Sequence, residues 1–373
     1  MRKLVHPLLA LALSVAAYGD IENELSSVQG EMPGCGLGVV SGDGLIYEQY
    51  AGYASLKYNI PITEDTIFNI GSISKHITAA VLFQLEKQDL LSRDDILNKF
   101  YPDGPEWFKY ITLEHLVQHR SGIPDYLNDQ AFAIPLLSRF TNNQEIALDL
   151  VFGRPISHDD IVANVMAGIE ELNGPKFPSG SEMSYSNTGY LLLAEIFNNH
   201  TGQDIESWVD QLIFKPYEMN DSLLFQETST DLNGIATGYE HSPHQGQKYR
   251  SLIESLASIG DGGMLTTVRD FSKWMEVLSS SDSPESDWHG FLVNPFDLDR
   301  PSTEVSWYQN GLEIEKYHGL IYQHYGKSTD NMNSYFWISP EHNIGYVRFC
   351  NFENLTRHRK ADVYDYVDVA GSN

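Results

Sequence analysis

The spacing of apolar and polar positions changes character several times along this 373-residue chain. The stretch CGLGVVSGDGLIYEQYAGYASL, beginning at Cys35, is rich in strand-forming residues on both sides of Ser41-Gly42-Asp43-Gly44, which predicts a hairpin. From Ile73 onward, Ile73, Ile77, Ala80, Val81 and Leu85 recur at the spacing of one helix face, so 73–91 reads as a helix. Helical patterns continue from ITLEHLVQH to IESWVDQLIF. They are interrupted by Gly, Pro and Ser in RSGIPDY and FPSGSEMSYSNTG, and KPYEMND follows as a further break. In GDGGMLTTVRDFSKWMEVL a glycine-rich turn precedes a helix that opens near Thr267, and 279–305, rich in Ser, Asp and Pro, reads as loop. Three β-like runs then follow closely: GLIYQHYG, NSYFWISPE and IGYVRFCN, the last two joined by the tight turn PEHN.

Strands at both ends and helices between them predict an α/β (α+β) fold, a sheet closed by the two chain ends with an inserted helical domain. The boundaries expected are a signal peptide over 1–19, a discontinuous sheet domain over 20–90 and 240–373, and a helical domain over 91–239. The first residues, MRKLVHPLLALALSVAAYGD, set Arg2 and Lys3 before an apolar stretch that ends in small residues at Ala16 and Ala17. That is the pattern of a secretory signal, too short for a membrane span, and it predicts a periplasmic or extracellular protein with no stable span after cleavage.

Charge narrows the partners. Lys and Arg number 24 against 51 Asp and Glu, a net −27, which argues against nucleic acid and anionic membrane surfaces. The acid is spread along the chain and reads as a solvated surface that tolerates a cationic or neutral substrate. Cys35 and Cys350 are the two cysteines. A disulfide in an oxidising compartment and two buried thiols both fit that count, whereas a metal site needs more ligands.

Three short pieces carry candidate chemistry. Ser72 and Lys75, in GSISK, stand three apart and would share a helix face, where a lysine can take a serine proton. Helix capping by Ser72 or Ser74, with Lys75 in solvent, explains the same pair. Tyr185 and Asn187, in YSN, offer a phenol that can relay a proton and an amide that can hold a bound amide, or else a loop tyrosine and a turn asparagine. His324, Gly326 and Lys327 end a β-like run. The histidine can orient a site or bind an anion, the Lys327 amide can face an oxyanion, and a structural histidine is the plainer reading. His115 and His119 are four apart on an expected helix, a metal-like spacing without the H-E-x-x-H pattern or an evident third ligand.

Taken in order, Ser-x-x-Lys at a helix start, Tyr-x-Asn on a mid-chain loop and His-x-Gly on a late strand resemble the three-motif signature of the serine β-lactamases and penicillin-recognising D,D-peptidases. The likeness is to the branch holding class C β-lactamases, D-alanyl-D-alanine carboxypeptidases, D-aminopeptidases and lactamase-like esterases. FNIGSISK, ITLEHLVQHRSGIPDY, IGDGGMLTTVRDFSKWMEVL and SPEHNIGYVRFCN are similar to that family's blocks, so the resemblance runs from about 35 to 352. It implies an antiparallel sheet of five or more strands flanked by helices, beside an all-helical domain, with the site in the cleft between. It also implies roles: Ser72 as nucleophile, Lys75 and Tyr185 sharing the proton work, Asn187 and His324 at the substrate, and the amides of Ser72 and Lys327 on the oxyanion. No cofactor or metal is implied, and the two histidines at 115 and 119 would be structural. The sheet's first and last strands are neighbours in that fold, which would bring Cys35 beside Cys350.

The third motif departs from the Lys-Thr-Gly usual in class C enzymes. Tyr325 stands where a hydroxyl contacts a substrate carboxylate, which turns the expectation away from penicillins. The resemblance therefore implies a serine hydrolase acting on an ester or amide, a D-amino-acid peptide or a small ester; with the N-terminal pattern it is expected to be exported, and a monomer is expected. A β-lactamase is the first alternative and a weakly catalytic penicillin-binding-type protein the second.

Overall fold

A computed structural model describes residues 4–5, 21, 23–142, 155–225, 234–242, 248–280, 288–292 and 306–353, apart from 43, 253 and 255. In chain order the strands that matter here are β1 (Leu4–Val5), β2 (Cys35–Ser41), β3 (Gly44–Ala51), β4 (Phe68–Asn69), β5 (Leu223–Leu224), β6 (Met264–Thr266), β7 (Ser306–Gln309), β8 (Leu312–Lys316), β9 (Leu320–Lys327), β10 (Asn333–Ser339) and β11 (Ile344–Cys350). The helices are α1 (Ser74–Lys87), α2 (Leu113–Val117), α3 (His158–Glu170), α4 (Asn187–His200) and α5 (Val268–Ser279).

The large sheet runs β1-β3-β2-β11-β10-β9-β8-β7 and is antiparallel throughout. It joins the chain ends through β2 and β11, whose register sets Cys350 directly opposite Cys35, and the two are joined in a disulfide. Of the segment expected to be a signal peptide only Leu4–Val5 is described, paired with Glu48 and Tyr47; the remainder lies outside the described residues, as does Asp43 of the predicted hairpin turn.

α5 shows why one face of this sheet is dry. Val268, Phe271, Trp274, Met275 and Leu278 are buried at helical spacing, and the start is capped by Thr267 accepting from the Asp270 amide. α1 has no such stripe, because Ile77, Ala79, Ala80, Val81, Leu82 and Leu85 are buried on several sides. It lies inside the molecule, with His76 against Phe336 of the sheet and Phe271 of α5. Two predicted features need correction. The loop over 279–305 contains a short helix, His289–Leu292, because Trp288 and Phe291 bury against Phe83; 281–287 and 293–305 lie outside the described residues. A three-stranded sheet, β4-β6-β5, was not foreseen in pieces of two and three residues. Among the described residues no helix is long and apolar enough to cross a membrane.

Candidate active site

β4 delivers the chain into a single 3-10 turn, Gly71–Ile73, that carries Ser72 and runs straight into α1. The capping explanation of Ser72 and Lys75 fails on two counts. Neither helical start is capped by a side chain, and Lys75 is wholly buried. Ser74 instead pins the turn to β6, its hydroxyl donating to the Gly71 carbonyl (2.7 Å) and accepting from the Met264 amide (3.0 Å).

Lys75 Nζ donates to Ser72 Oγ at 3.0 Å, to Asn187 Oδ1 at 2.7 Å and to the backbone carbonyl of Asp261. Three acceptors match the three N–H bonds of an ammonium, which is how a buried charge is tolerated. The Asp261 carbonyl is presented by the glycine-rich turn, which α1 grips again through Thr78 Oγ1 donating to the Gly260 carbonyl at 2.7 Å. Tyr185 closes the other side, its ring centroid 5.0 Å from Lys75 Nζ and 4.3 Å from the His119 ring centroid. It is 36 % exposed, so one end of the phenol reaches solvent. Asn187 opens α4 and faces inward, its Nδ2 donating to both carboxylate oxygens of Asp125 at 3.1 and 3.0 Å.

β9 supplies the third wall. Its Gly326 approaches the nucleophile turn so closely that a Cβ there would lie 1.9 Å from the Ile70 carbonyl oxygen. Gly71, at φ +54°, meets the Lys327 backbone in the same way. The Lys327 backbone thus lies against Gly71, the residue before Ser72, while its ammonium turns outward to Glu353 at 2.9 Å. His324 is buried, and burial, reinforced by the Lys75 charge, pushes its imidazole down to about 3. Neutral at ordinary pH, it donates from Nδ1 to its neighbour's carbonyl at Tyr325 and accepts at Nε2 from Tyr308 Oη at 3.1 Å. Tyr325 is exposed and stacks on Tyr335 at 4.3 Å between centroids. These walls enclose an open cleft of about 870 Å³ lined by Ser72, Tyr185, Asn187, His324, Tyr325 and Lys327, with Glu240 and Glu313 at its sides.

His115 lies in α2, but His119, expected on the same helix, falls beyond it at φ +57°, and the two do not converge on an ion. His115 Nδ1 accepts from the Thr112 amide in a reciprocal cap of α2, and His119 Nδ1 accepts from the Ser186 amide at 3.1 Å. Burial holds both imidazoles below their ordinary range. Among the described residues no cluster of three His, Cys, Asp or Glu could hold a metal. The sequence reading missed Asp125, Asp261 and Tyr308. Asp125 stands in ITLEHLVQHRSGIPDY, a stretch similar to the family's blocks, but locally it reads as a loop break and carries no assigned role. Tyr308 sits on the hairpin β7–β8, whose turn Asn310-Gly311 has both residues at positive φ and whose Asn-Gly pair is a hairpin signal in the sequence itself.

The family model described as Beta-lactamase matches residues 1–370. The penicillin-binding protein 4* of Bacillus subtilis (strain 168) is 29% identical over 253 residues, covering 65% of this chain and 51% of that protein. A D-aminopeptidase of Brucella anthropi is 25% identical over 325 residues, covering 86% of this chain and 56% of that protein. The chain thus spans about half the length of the curated relatives it matches. Among solved structures, the octameric penicillin-binding protein homologue from Pyrococcus abyssi superposes with TM-score 0.73 at 22% identity, covering 94% of this chain and 75% of that one. The D-amino acid amidase from Ochrobactrum anthropi SV3, complexed with D-phenylalanine, gives TM-score 0.68 at 19% identity, covering 96% and 99%.

Proposed function

Since the chain belongs to the Beta-lactamase family, we propose that it is an exported serine hydrolase that cleaves an ester or amide through an acyl-enzyme at Ser72. The observation that carries this reading is Lys75: wholly buried, its ammonium is committed in part to the Ser72 hydroxyl at 3.0 Å. A charge removed from water is costly, and here it is placed where a serine proton must travel.

In the proposed cycle Lys75 reacts as the free amine: Ser72 Oγ adds to the substrate carbonyl carbon while its proton passes to Lys75 Nζ, which becomes the ammonium. The carbonyl oxygen becomes an oxyanion facing the amides of Ser72 and Lys327, the kind of contact worth about 3 kcal/mol per donor. Collapse breaks the C–O or C–N bond, and the leaving group takes the proton. Water then attacks the ester carbonyl, its proton relayed through the Tyr185 phenol to the Lys75 amine; the acid departs and Lys75 returns that proton to Ser72 Oγ.

The substrate class proposed is a D-amino-acid peptide or amide, or a small ester. Glu313 lines the cleft, Glu240 beside it is paired with Arg250, His324 is uncharged there, and the Lys327 ammonium is paired with Glu353. Among the described residues lining the cleft the one Lys or Arg is Lys327, already paired, so charge there favours a neutral or cationic group over a carboxylate. The names of the D-aminopeptidase and D-amino acid amidase relatives point the same way. Export is supported by the N-terminal pattern and by the Cys35–Cys350 disulfide, a bond that persists in oxidising compartments. We keep 20–90 with 240–373 as the sheet domain and 91–239 as the helical domain, with the cleft between. Every residue invoked comes from one chain, so a monomer suffices.

The test is turnover of p-nitrophenyl acetate, D-alanine p-nitroanilide and a chromogenic cephalosporin by the wild type and Ser72→Ala. The ester and the D-anilide should exceed the cephalosporin, and all turnover should vanish with Ser72. Cephalosporin turnover far above the others would make the protein a lactamase. No turnover, together with no Ser72-dependent fluorophosphonate labelling, would make it a binding protein.

A further inference from the structure

Two of the three acceptors that hold Lys75 are themselves held by adjacent residues of one loop. Asn187 Oδ1 accepts from Lys75 while its Nδ2 donates to Asp125 Oδ1 and Oδ2 at 3.1 and 3.0 Å. On the far side, Tyr126 Oη donates to Asp261 Oδ2 at 2.8 Å, and the Asp261 carbonyl accepts from Lys75. Asp125 is itself fixed, because its carboxylate also accepts from the amides of Leu127 (2.8 Å) and Asn128 (3.3 Å) and from Asn128 Nδ2 (2.9 Å).

A side-chain amide can sit either way round, oxygen or nitrogen toward the lysine. Only the first orientation offers an ammonium an acceptor. An ionised carboxylate behind the amide accepts and never donates, so it selects the orientation with NH2 toward itself. We propose that Asp125 is a positioning residue that locks the Asn187 amide with its oxygen toward Lys75 and so holds the lysine within reach of Ser72. The role rests on the serine-hydrolase reading above. Asp125 touches neither Lys75 nor the open cleft; it acts through Asn187.

The test is a double-mutant cycle read as the second-order rate of fluorophosphonate labelling at Ser72. The proteins are wild type, Asp125→Ala, Asn187→Ala and the double variant, with urea midpoints recorded for each. Asp125→Ala should slow labelling about 10- to 100-fold in the wild-type background, the penalty for a misplaced catalytic group. In the Asn187→Ala background the same change should cost less than about 2-fold, because its effect travels through the missing amide. Asp125→Asn keeps an acceptor oxygen and should recover part of the rate; Asp125→Leu, which offers the Asn187 amide no acceptor, replaces Asp125→Ala in the cycle if that variant does not fold. An equal loss in both backgrounds, or no loss in either, overturns the role of Asp125 and leaves the hydrolase reading intact. Absence of Ser72 labelling in the wild type overturns both.

Discussion

His324 was expected at the substrate either as an orienting group or as an anion partner, and its surroundings decide which. Burial first, then the charge of Lys75, bring the imidazole down to about 3, against an unfolded value of about 6.5. The sign follows directly. Below about pH 6.5 the unfolded chain takes up a proton that the folded one refuses, so stability is lost as the pH falls from about 6.5 toward 3. The slope approaches about 1.4 kcal/mol per pH unit for this group. His324→Gln should therefore flatten the loss of stability between pH 6.5 and 4 relative to wild type, measured as urea midpoints across that range. Identical slopes would show that His324 titrates normally. The comparison isolates this residue from His76, which burial brings down to about 4, and from Asp261, which burial pushes up. At this scale the sequence was most legible where chemistry lies in local spacing. Ser72 and Lys75 are three apart on one helical face, and Tyr185 and Asn187 straddle the start of α4. Asp125 and Asp261 lie in stretches similar to the family's blocks, but their roles were not legible, because each matters through a partner 62 or 186 residues away that only folding brings near.

Among the elements, the junction of β9 with the nucleophile turn controls the geometry. The strand's last residues lie on the backbone of Ile70 and Gly71, and there is no room for a methyl group at Gly326. Gly326→Ala should cost about 1–3 kcal/mol by forcing the two segments apart. It should also lower esterase turnover more than about 10-fold, since Ser72 and the Lys327 amide would separate. Gly174→Ala, where a Cβ meets nothing within 4 Å, is the control and should be silent in both urea midpoint and turnover. An unaffected Gly326→Ala would mean that this contact does not set the site. The long strands and helices were readable from their periods: β9, β10 and β11 match the three late runs, and Thr267 caps α5 where the helix was expected to open. β7 and β8 were overlooked despite Asn310-Gly311. That hairpin places Tyr308 on His324, and a Cβ on Gly311 would lie 2.4 Å from the His76 backbone. The short strands β4, β5 and β6 carry no period of their own and exist because longer elements leave their backbones side by side.

The molecule as a whole works by convergence. The nucleophile follows a strand near the start, the loop with Asp125 and the tyrosine–asparagine motif come from the middle, and the third wall comes from the strands near the end. The disulfide between Cys35 and Cys350 ties the first and last strands of that arrangement across a separation of 315 residues. At the cleft the acidic composition appears as Glu313 and as Glu240, the latter paired with Arg250. The central claim is that this convergence makes one hydroxyl reactive. It is tested most directly by incubating the protein with a fluorophosphonate and mapping the adduct by peptide mass. A single adduct is expected on the peptide that contains Ser72, absent from Ser72→Ala. An adduct on another residue, or one that persists in Ser72→Ala, would contradict it.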